Sequence, residues 1–569
     1  MSRIRFIQIK NFRSIKQLDF APSEGINCFI GPGDSGKSTI LDAIDLCLVA
    51  RRNVQFCDSD FYKLEVDCPI EIFITLGELS DSLKNLDNYG LYLRGFDLKT
   101  KELHDEPEAD LETVITLKLE VRSDLEPSWQ LVSDRAIGQG QAKPLQWSDR
   151  AKISPTRIGA TASHNLGWQR GSVLNQISDE RADTSATLAK AARDARGAFG
   201  DRAAEELGSA LKIVSETAHK LGIPIGDNVR ALLDAHSVSF VGGTISLHDH
   251  VGVPLKGLGI GSTRLLIAGL QRVAAHKSSI ILVDELEHGL EPHRIIRFLG
   301  SLGAKEAQAP LQLFATTHSP IVLRELSGNQ LVIVRRLEDS HYIYWVGDSN
   351  EAQGTIRVAP DAFLAGSVLV CEGASEVGLI RGLDQYRVSI GYPSIFACGL
   401  ALVDAGGVNK IYNRAPSFLG LRYRCAVLRD DDASPDVAIE QKFISSGGVV
   451  FKWRAGRALE QEIFFSVTDH AIHKLLEKAA SDHAPKAIND QIKTHSNNSL
   501  DLSTCMCAVT PQIRECLGNA AKKSSWFKTV GQMEEIGREI VGPDVNQGCD
   551  ADFIQSLTSL FDWSSNVQP

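Results

Sequence analysis

The run Gly31–Thr39, GPGDSGKST, has the residue types and spacing of a phosphate-binding loop. A glycine-rich turn between a strand and a helix aims backbone amides at the β and γ phosphates of a nucleotide. Lys37 neutralises those phosphates and Ser38 ligates magnesium. Gly31, Gly33, Gly36 and Thr39 complete the pattern, while Asp34 and Ser35 shape the turn. Much later, SIILVDE delivers Asp284 and Glu285 at the exit of an apolar strand. The first acid suits a magnesium shell, and the second can orient or deprotonate the attacking water. The expected ligand is ATP or GTP. A second acidic set follows. SVLVCEGASE carries Glu372, Gly373 and Glu376 after a strand, and RCAVLRDDDA ends in Asp430, Asp431 and Asp432. Carboxylates from two strand ends can converge on hard, oxygen-seeking cations. Such cations suit phosphodiester hydrolysis, one activating water and another stabilising the leaving oxygen. Asp431 falls off the alternate-residue pattern and reads as a bystander.

Positioning these groups requires a strand–loop–helix unit around residue 31 and buried strands before each acidic pair. Residues 4–10 and 26–30 are short apolar strands, the second running into the loop and then the helical pattern ILDAIDLCLVA. Residues 68–76 and 111–121 read as further strands. Proline, glycine and serine break all periodicity over 124–165, whereas 180–233, rich in alanine, leucine and charge, suits helices. Strands return at VSFVGG, SIILVDE and QLFATTHSP, and the pattern changes near residue 360. The reading is an interrupted first domain followed by a second: ATPase parts over 1–165 and 234–360, a helical insertion over 166–233, and a further domain over 361–569.

A chain of 569 residues with 43% apolar content supplies core for two or three domains. A net charge of −11 argues against a protein coated in positive charge but leaves room for a local groove that tracks phosphates. Eleven cysteines without a repeated CxxC spacing point to reduced thiols rather than disulfides or zinc. No apolar run is long enough for a signal or a membrane span, so a cytoplasmic protein without membrane contact is expected.

At Asn11–Ser14, Leu258–Ser262, Asp284–Glu291 and His318 the chain resembles the ABC-type ATPases of the structural-maintenance and recombination-repair group. The resemblance places Arg13 near the nucleotide and makes Gly261 and Ser262, before a helix, the counterpart of a signature loop that contacts ATP on another subunit. DELEHGLE has the spacing of a Walker B acid, catalytic glutamate and following loop, with Glu291 where aspartate is usual. His318 matches the switch histidine that senses the γ phosphate. Hydrolysis-competent sites are then expected in a dimer.

The second acidic set resembles a Toprim domain: Glu372 and Gly373 match its glutamate-glycine motif, Asp430 and Asp432 its DxD motif. ATPase followed by Toprim in one polypeptide is similar to the overcoming-lysogenization-defect (OLD) nucleases along nearly the entire chain. That resemblance adds Glu376 as an acidic ligand, an acid of a later LE stretch at the second metal, and a late lysine near the scissile phosphate. Glu460 is chosen for the acid, with Glu462 competing, and Lys528 for the lysine, with Lys522 and Lys523 nearby.

The expected fold is thus α/β: an ABC/SMC-like P-loop ATPase domain with an inserted helical dimerisation module, then an α/β Toprim domain and a helical C-terminal region. The expected cofactors are ATP and Mg2+, with Mn2+ also suited to the nuclease site. The resemblance implies a metal-dependent DNA endonuclease or nickase in anti-phage defence. Its implied partners are DNA, copies of itself as a dimer or higher oligomer, and a helicase-like, reverse-transcriptase or other defence-system protein. Two other readings stay open: an ATP-driven DNA-binding or repair clamp with a noncatalytic second domain, and a nucleotide sensor within a multiprotein defence complex.

Overall fold

The computed structural model describes residues 2–50, 54–159, 254–274, 279–433 and 435–566, with a few single positions between 160 and 253. The helical module expected over 166–233 lies outside the described residues apart from those positions, as does the strand expected at VSFVGG. The chain forms two compact units, one of Met1–Asn27 with Ser38–Thr317, the other of Cys28–Lys37 with His318–Pro569. The segment after Thr317 supplies strands and an arginine that pack within the second unit.

In the first unit, β1 (Arg3–Phe12), β2 (Ile15–Phe20) and, beyond β3 (Ile26–Ile30), β4 (Ile70–Gly77), β5 (Leu93–Phe96), β6 (Leu103–His104), β7 (Glu112–Val121) and β8 (Pro127–Val132) build a seven-stranded sheet. Its order is β2-β1-β4-β7-β5-β6, with β8 on β7, and its pairings are antiparallel. Alternating burial along β1 gives one face to the core. Three short parallel strands, β9 (Thr156–Ile158), β10 (Ile280–Val283) and β11 (Gln312–Thr316), lie with β10 in the middle. Both β10 and β11 are buried at every residue, as parallel strands covered on both faces must be. Helix α1 (Lys37–Leu48) follows the glycine loop, α2 (Ile260–Val273) precedes β10, and α3 (Pro292–Ser301) follows it, with Pro292 opening the first turn where a missing N–H costs nothing.

In the second unit, Cys28–Ile30 of β3 pair in parallel with Leu331–Ile333 of β12 (Leu331–Leu337), which returns as β13 (Ser340–Trp345). A four-stranded, all-parallel sheet of order β15-β14-β16-β17 follows, from β14 (Ser367–Cys371), β15 (Leu400–Asp404), β16 (Arg424–Arg429) and β17 (Val449–Lys452). Helices α4 (Ala374–Ser389), α5 (Val408–Gly420), α6 (Val437–Ser445) and α7 (Leu459–Ser466) connect and follow these strands, and the chain continues as helices that include α8 (Pro511–Lys523) and α9 (Val530–Ile536). Helices α4 and α9 approach to backbone contact: a Cβ on Gly378 would stand 2.5 Å from Val530 O, and one on Gly382 would collide with Glu534 O. Arg335 of β12 is buried with its guanidinium 3.7 Å from the Tyr423 ring, which ties this segment to the start of β16.

Candidate functional site

The glycine loop has the conformation its sequence requires. Gly31 (φ 135°), Asp34 (φ 57°) and Gly36 (φ 90°) occupy positive-φ backbone, costly for the aspartate and natural for the glycines. Gly31 admits no side chain, since a Cβ would stand 2.5 Å from Val334 O, whereas Gly33 faces open space. Lys37 Nζ donates to Gly31 O (3.2 Å), Pro32 O (2.6 Å) and Ser35 Oγ (3.3 Å), so its ammonium lies inside the curl of the loop. His318 opens the second unit as an exposed residue.

Within the first unit, Ser38 Oγ donates to Asp284 Oδ1 at 3.0 Å, and Thr316 Oγ1 donates to the same oxygen at 2.6 Å. The hydroxyl and the carboxylate expected to share a magnesium shell therefore already meet, and their oxygen donors fit that hard cation. Glu285 stands beyond them on positive-φ backbone (47°), its amide donating to Thr316 Oγ1 at 2.9 Å. Its side chain is exposed, 3.6 Å from His288 Nδ1. Arg13 is ion-paired to Asp42 and Asp60, which holds it beside α1. Thr39 Oγ1 lies 3.4 Å from Ser14 Oγ. Gly261 and Ser262 fall in the first turn of α2, which begins at Ile260, rather than ahead of it. A Cβ at Gly261 would collide with Gly289 O, and Ser262 Oγ accepts from Arg294, itself paired to Glu291. Two arginines without a motif also belong here: buried Arg264, which donates to the carbonyls of Asp284, Glu285 and His288, and Arg157, which reaches Asp284 from β9.

The second acidic set gathers at the C-terminal ends of β14 and β16. Glu372 follows β14, and its Oε2 accepts from the Asp430 amide at 3.0 Å, joining the two strand ends. Asp430 Oδ1 accepts from the Leu459 amide at 2.9 Å, which brings in α7. Glu376, in the first turn of α4, reaches back to the Gly373 amide at 2.9 Å. Burial, reinforced by Asp430, pushes the Glu376 carboxyl far above the carboxylate range. Burial together with Glu372 and Glu460 raises Asp430 to about 8, and burial also raises Glu372. Desolvated acids that repel one another in this way are a donor set in want of positive charge.

Two lysines supply part of it. Lys528 Nζ forms an ion pair with Glu460 at 2.7 Å, and Lys522 Nζ lies 2.5 Å from Asp432. Glu460 is fully buried, and its Oε2 has no hydrogen-bond partner among the described residues. Burial lowers the Lys528 ammonium, but Glu460, Glu376 and Asp430 outweigh it and raise the group. Buried Trp526 and Phe527 anchor the chain just before Lys528. Glu462 faces elsewhere, paired with Arg454 (2.6 Å) and Arg457 (3.4 Å). Asp431 likewise turns away to Arg429 (3.1 Å) and Lys452 (3.3 Å). Lys523 is exposed. Among the described residues, no three acidic, histidine or cysteine side chains already stand as a closed metal cage. An unmet buried oxygen and three acids held above their normal range nevertheless fit a hard cation, which uses few protein carboxylates and fills its shell with water and phosphate oxygens. Arg429, buried beneath the acidic loop and paired with Glu440 and Asp431, is a support that no motif marked.

A glycine loop between strand and helix, with a serine and an aspartate meeting at the head of that helix, defines a P-loop ATPase domain. The chain belongs to the family described as "AAA domain, putative AbiEii toxin, Type IV TA system", whose model matches residues 26–324. It is similar to the DNA replication and repair protein RecF of Chlorobium phaeobacteroides (strain BS1), 51% identical over 49 residues, or 9% of this chain and 14% of that protein. Against RecF of Chlorobium phaeovibrioides (strain DSM 265 / 1930) the identity is 32% over 107 residues, 17% of this chain and 29% of that protein. The chain thus spans less than a third of the length of these curated relatives. Among solved structures, the Smc head domain with an extended coiled coil bound to the C-terminal domain of ScpA, from Pyrococcus furiosus, has a TM-score of 0.33 at 15% identity, covering 60% of this chain and 96% of that one. The SMC head domain from Thermotoga maritima has a TM-score of 0.28 at 15% identity, covering 61% and 99%. No helix among the described residues is long and apolar enough to cross a membrane.

Proposed function

We propose that this ATPase is a metal-dependent DNA endonuclease or nickase of the OLD type, in which the N-terminal nucleotide site controls a Toprim-like centre. The observation that carries the reading is the convergence of Glu372, Glu376, Asp430 and Glu460 at strand and helix ends, with Lys522 and Lys528 at its border. DNA as substrate is supported by the likeness to RecF, whose name is that of a DNA replication and repair protein. A role in defence rests on the OLD resemblance, and the family's description also names a toxin. Glu372, Glu376, Asp430, Asp432 and Glu460 would hold magnesium or manganese. The metal would supply Lewis-acid charge that makes water nucleophilic and stabilises the leaving oxygen. Lys528 and Lys522 then hold the phosphate by charge once their carboxylates are otherwise neutralised. In the nucleotide site, Lys37 and the loop amides bind phosphates, Asp284 and Ser38 would hold magnesium, Glu285 orients water, and Arg13, Gly261, Ser262 and His318 act around the nucleotide in a homodimer.

The test is cleavage of supercoiled and linear DNA by the full chain with magnesium or manganese, with and without ATP, beside Asp430→Ala. Cleavage lost in the variant is the expected result, and the ATP arm gives the direction of control. Metal-dependent cutting that survives Asp430→Ala overturns the assigned centre. The ion pairs of Lys528 with Glu460 and of Lys522 with Asp432, which place ammonium groups where a cation would otherwise stand, favour a second reading, an ATP-driven DNA clamp or sensor subunit with a noncatalytic second domain. DNA binding without cleavage by the wild-type protein would select it.

A further inference from the structure

The acid expected to serve magnesium is held by a residue that lies outside every motif of the nucleotide site. Asp284 has one oxygen, Oδ1, shared by the hydroxyls of Ser38 and Thr316. Its other oxygen, Oδ2, lies 3.7 Å from a guanidinium nitrogen of Arg157. Arg157 comes from β9, whose backbone runs in register beside β10, Arg157 opposite Leu282. The same guanidinium is 2.6 Å from Asp42 Oδ1 and 3.5 Å from Asp45 Oδ2, both on α1, the helix whose first turn holds Ser38. Asp42 is in turn shared with Arg13. Burial disfavours the charge on Arg157, but Asp42, Asp45 and Asp284 more than restore it.

We propose that Arg157 is a positioning residue of the nucleotide site: anchored on Asp42 and Asp45, it fixes the Asp284 carboxylate so that Oδ1 stays with Ser38. The inference rests on the reading of Asp284 and Ser38 as the magnesium group. A planar fork presents donors on separate edges, Nη1 to Asp42 and Asp45 and Nη2 toward Asp284, whereas an ammonium brings its donors to one point on a flexible stem. Charge and geometry make opposite predictions here. Removing a cation from beside three aspartates would by itself strengthen attraction for magnesium. A higher magnesium requirement in a neutral variant therefore reports lost geometry.

The experiment is titration of magnesium against binding of a fluorescent non-hydrolysable ATP analogue to the full-length protein, for wild type, Arg157→Met and Arg157→Lys. Both variants are expected to raise the magnesium midpoint, by about tenfold as for other outer-shell supports, and Arg157→Lys is not expected to rescue Arg157→Met. The proposal is overturned by an unchanged midpoint, by a lower midpoint in Arg157→Met, which would make the arginine a competitor of the metal, or by full rescue with lysine. If the methionine variant fails to fold, judged by its melting temperature without metal, Arg157→Gln replaces it as a neutral variant that keeps polar groups; the same rise is expected, and an unchanged or lower midpoint overturns the idea. Ser38→Ala separates the two levels: a midpoint unmoved in that variant removes the underlying reading of the magnesium group, whatever Arg157 does.

Discussion

His341 on β13 is buried, and neither ring nitrogen has a hydrogen-bond partner among the described residues. Burial and Arg336 push its imidazole down to about 4. A folded-state value below the unfolded one near 6.5 means stability that is present above pH 6.5 and lost as pH falls through 4. Denaturant melts of wild type and His341→Leu should therefore converge toward the acid side, with a relative gain for the variant of up to about 3 kcal/mol at pH 4; parallel pH curves would remove the assignment. At Glu285 the expectation is different in kind. Glu285→Gln should keep nucleotide binding and lose hydrolysis by about a hundredfold or more, as expected of a residue that orients water; unchanged hydrolysis would take that role away. At this scale the sequence was most legible where one short run carries the chemistry, as in Gly31–Thr39 or Asp284–Glu285. It was least legible where two equivalent residues compete. Glu460 and Glu462 sit two apart in one helical turn and are both buried, so periodicity cannot separate them. What separates them is tertiary: Arg454 and Arg457 reach one, and Lys528 reaches the other. Arg157 had no motif at all, because its partners come from α1 and from the residue that follows β10.

The helix pair α4 and α9 shows what an element can dictate. Gly378 and Gly382 lie one turn apart on α4, and Gly537, just past α9, faces Leu379 O at 2.8 Å from a Cβ. Backbones this close leave no room for a methyl group, so Gly382→Ala should cost about 1–3 kcal/mol in denaturant melts. Because α4 carries Glu376 and α9 follows Lys528 closely, the same substitution should weaken metal-dependent cleavage, if present, more than DNA binding. A neutral result in both assays would make the close approach incidental. Strands were legible wherever three or more apolar residues ran together, as in β3, β10, β11, β14 and β16. Proline, glycine and serine break the periodicity over 124–165, yet that region holds β8 and β9. β9 is three residues long and gains its identity only by lying beside β10, a pairing that no local pattern announces.

For the molecule as a whole, the two compact units do not follow the chain: Cys28–Lys37 belongs with the residues after His318. The sequence pattern changes near residue 360, and the compact units follow pairings made hundreds of residues apart. The first glycine of the phosphate loop rests against Val334, so a fragment of residues 1–317 should bind nucleotide at least about tenfold more weakly than the full chain; equal affinity would show that the loop is self-sufficient. The same arrangement sets a clock during synthesis. Cys28–Ile30 leave the ribosome about 300 residues before Leu331–Ile333, the strand they pair with, a delay of roughly 15 to 60 seconds at ordinary elongation rates. For that interval the nascent chain carries an apolar strand without its β12 partner and a phosphate loop whose first glycine lacks Val334 beside it, so nucleotide binding should strengthen only once the second unit has begun to emerge.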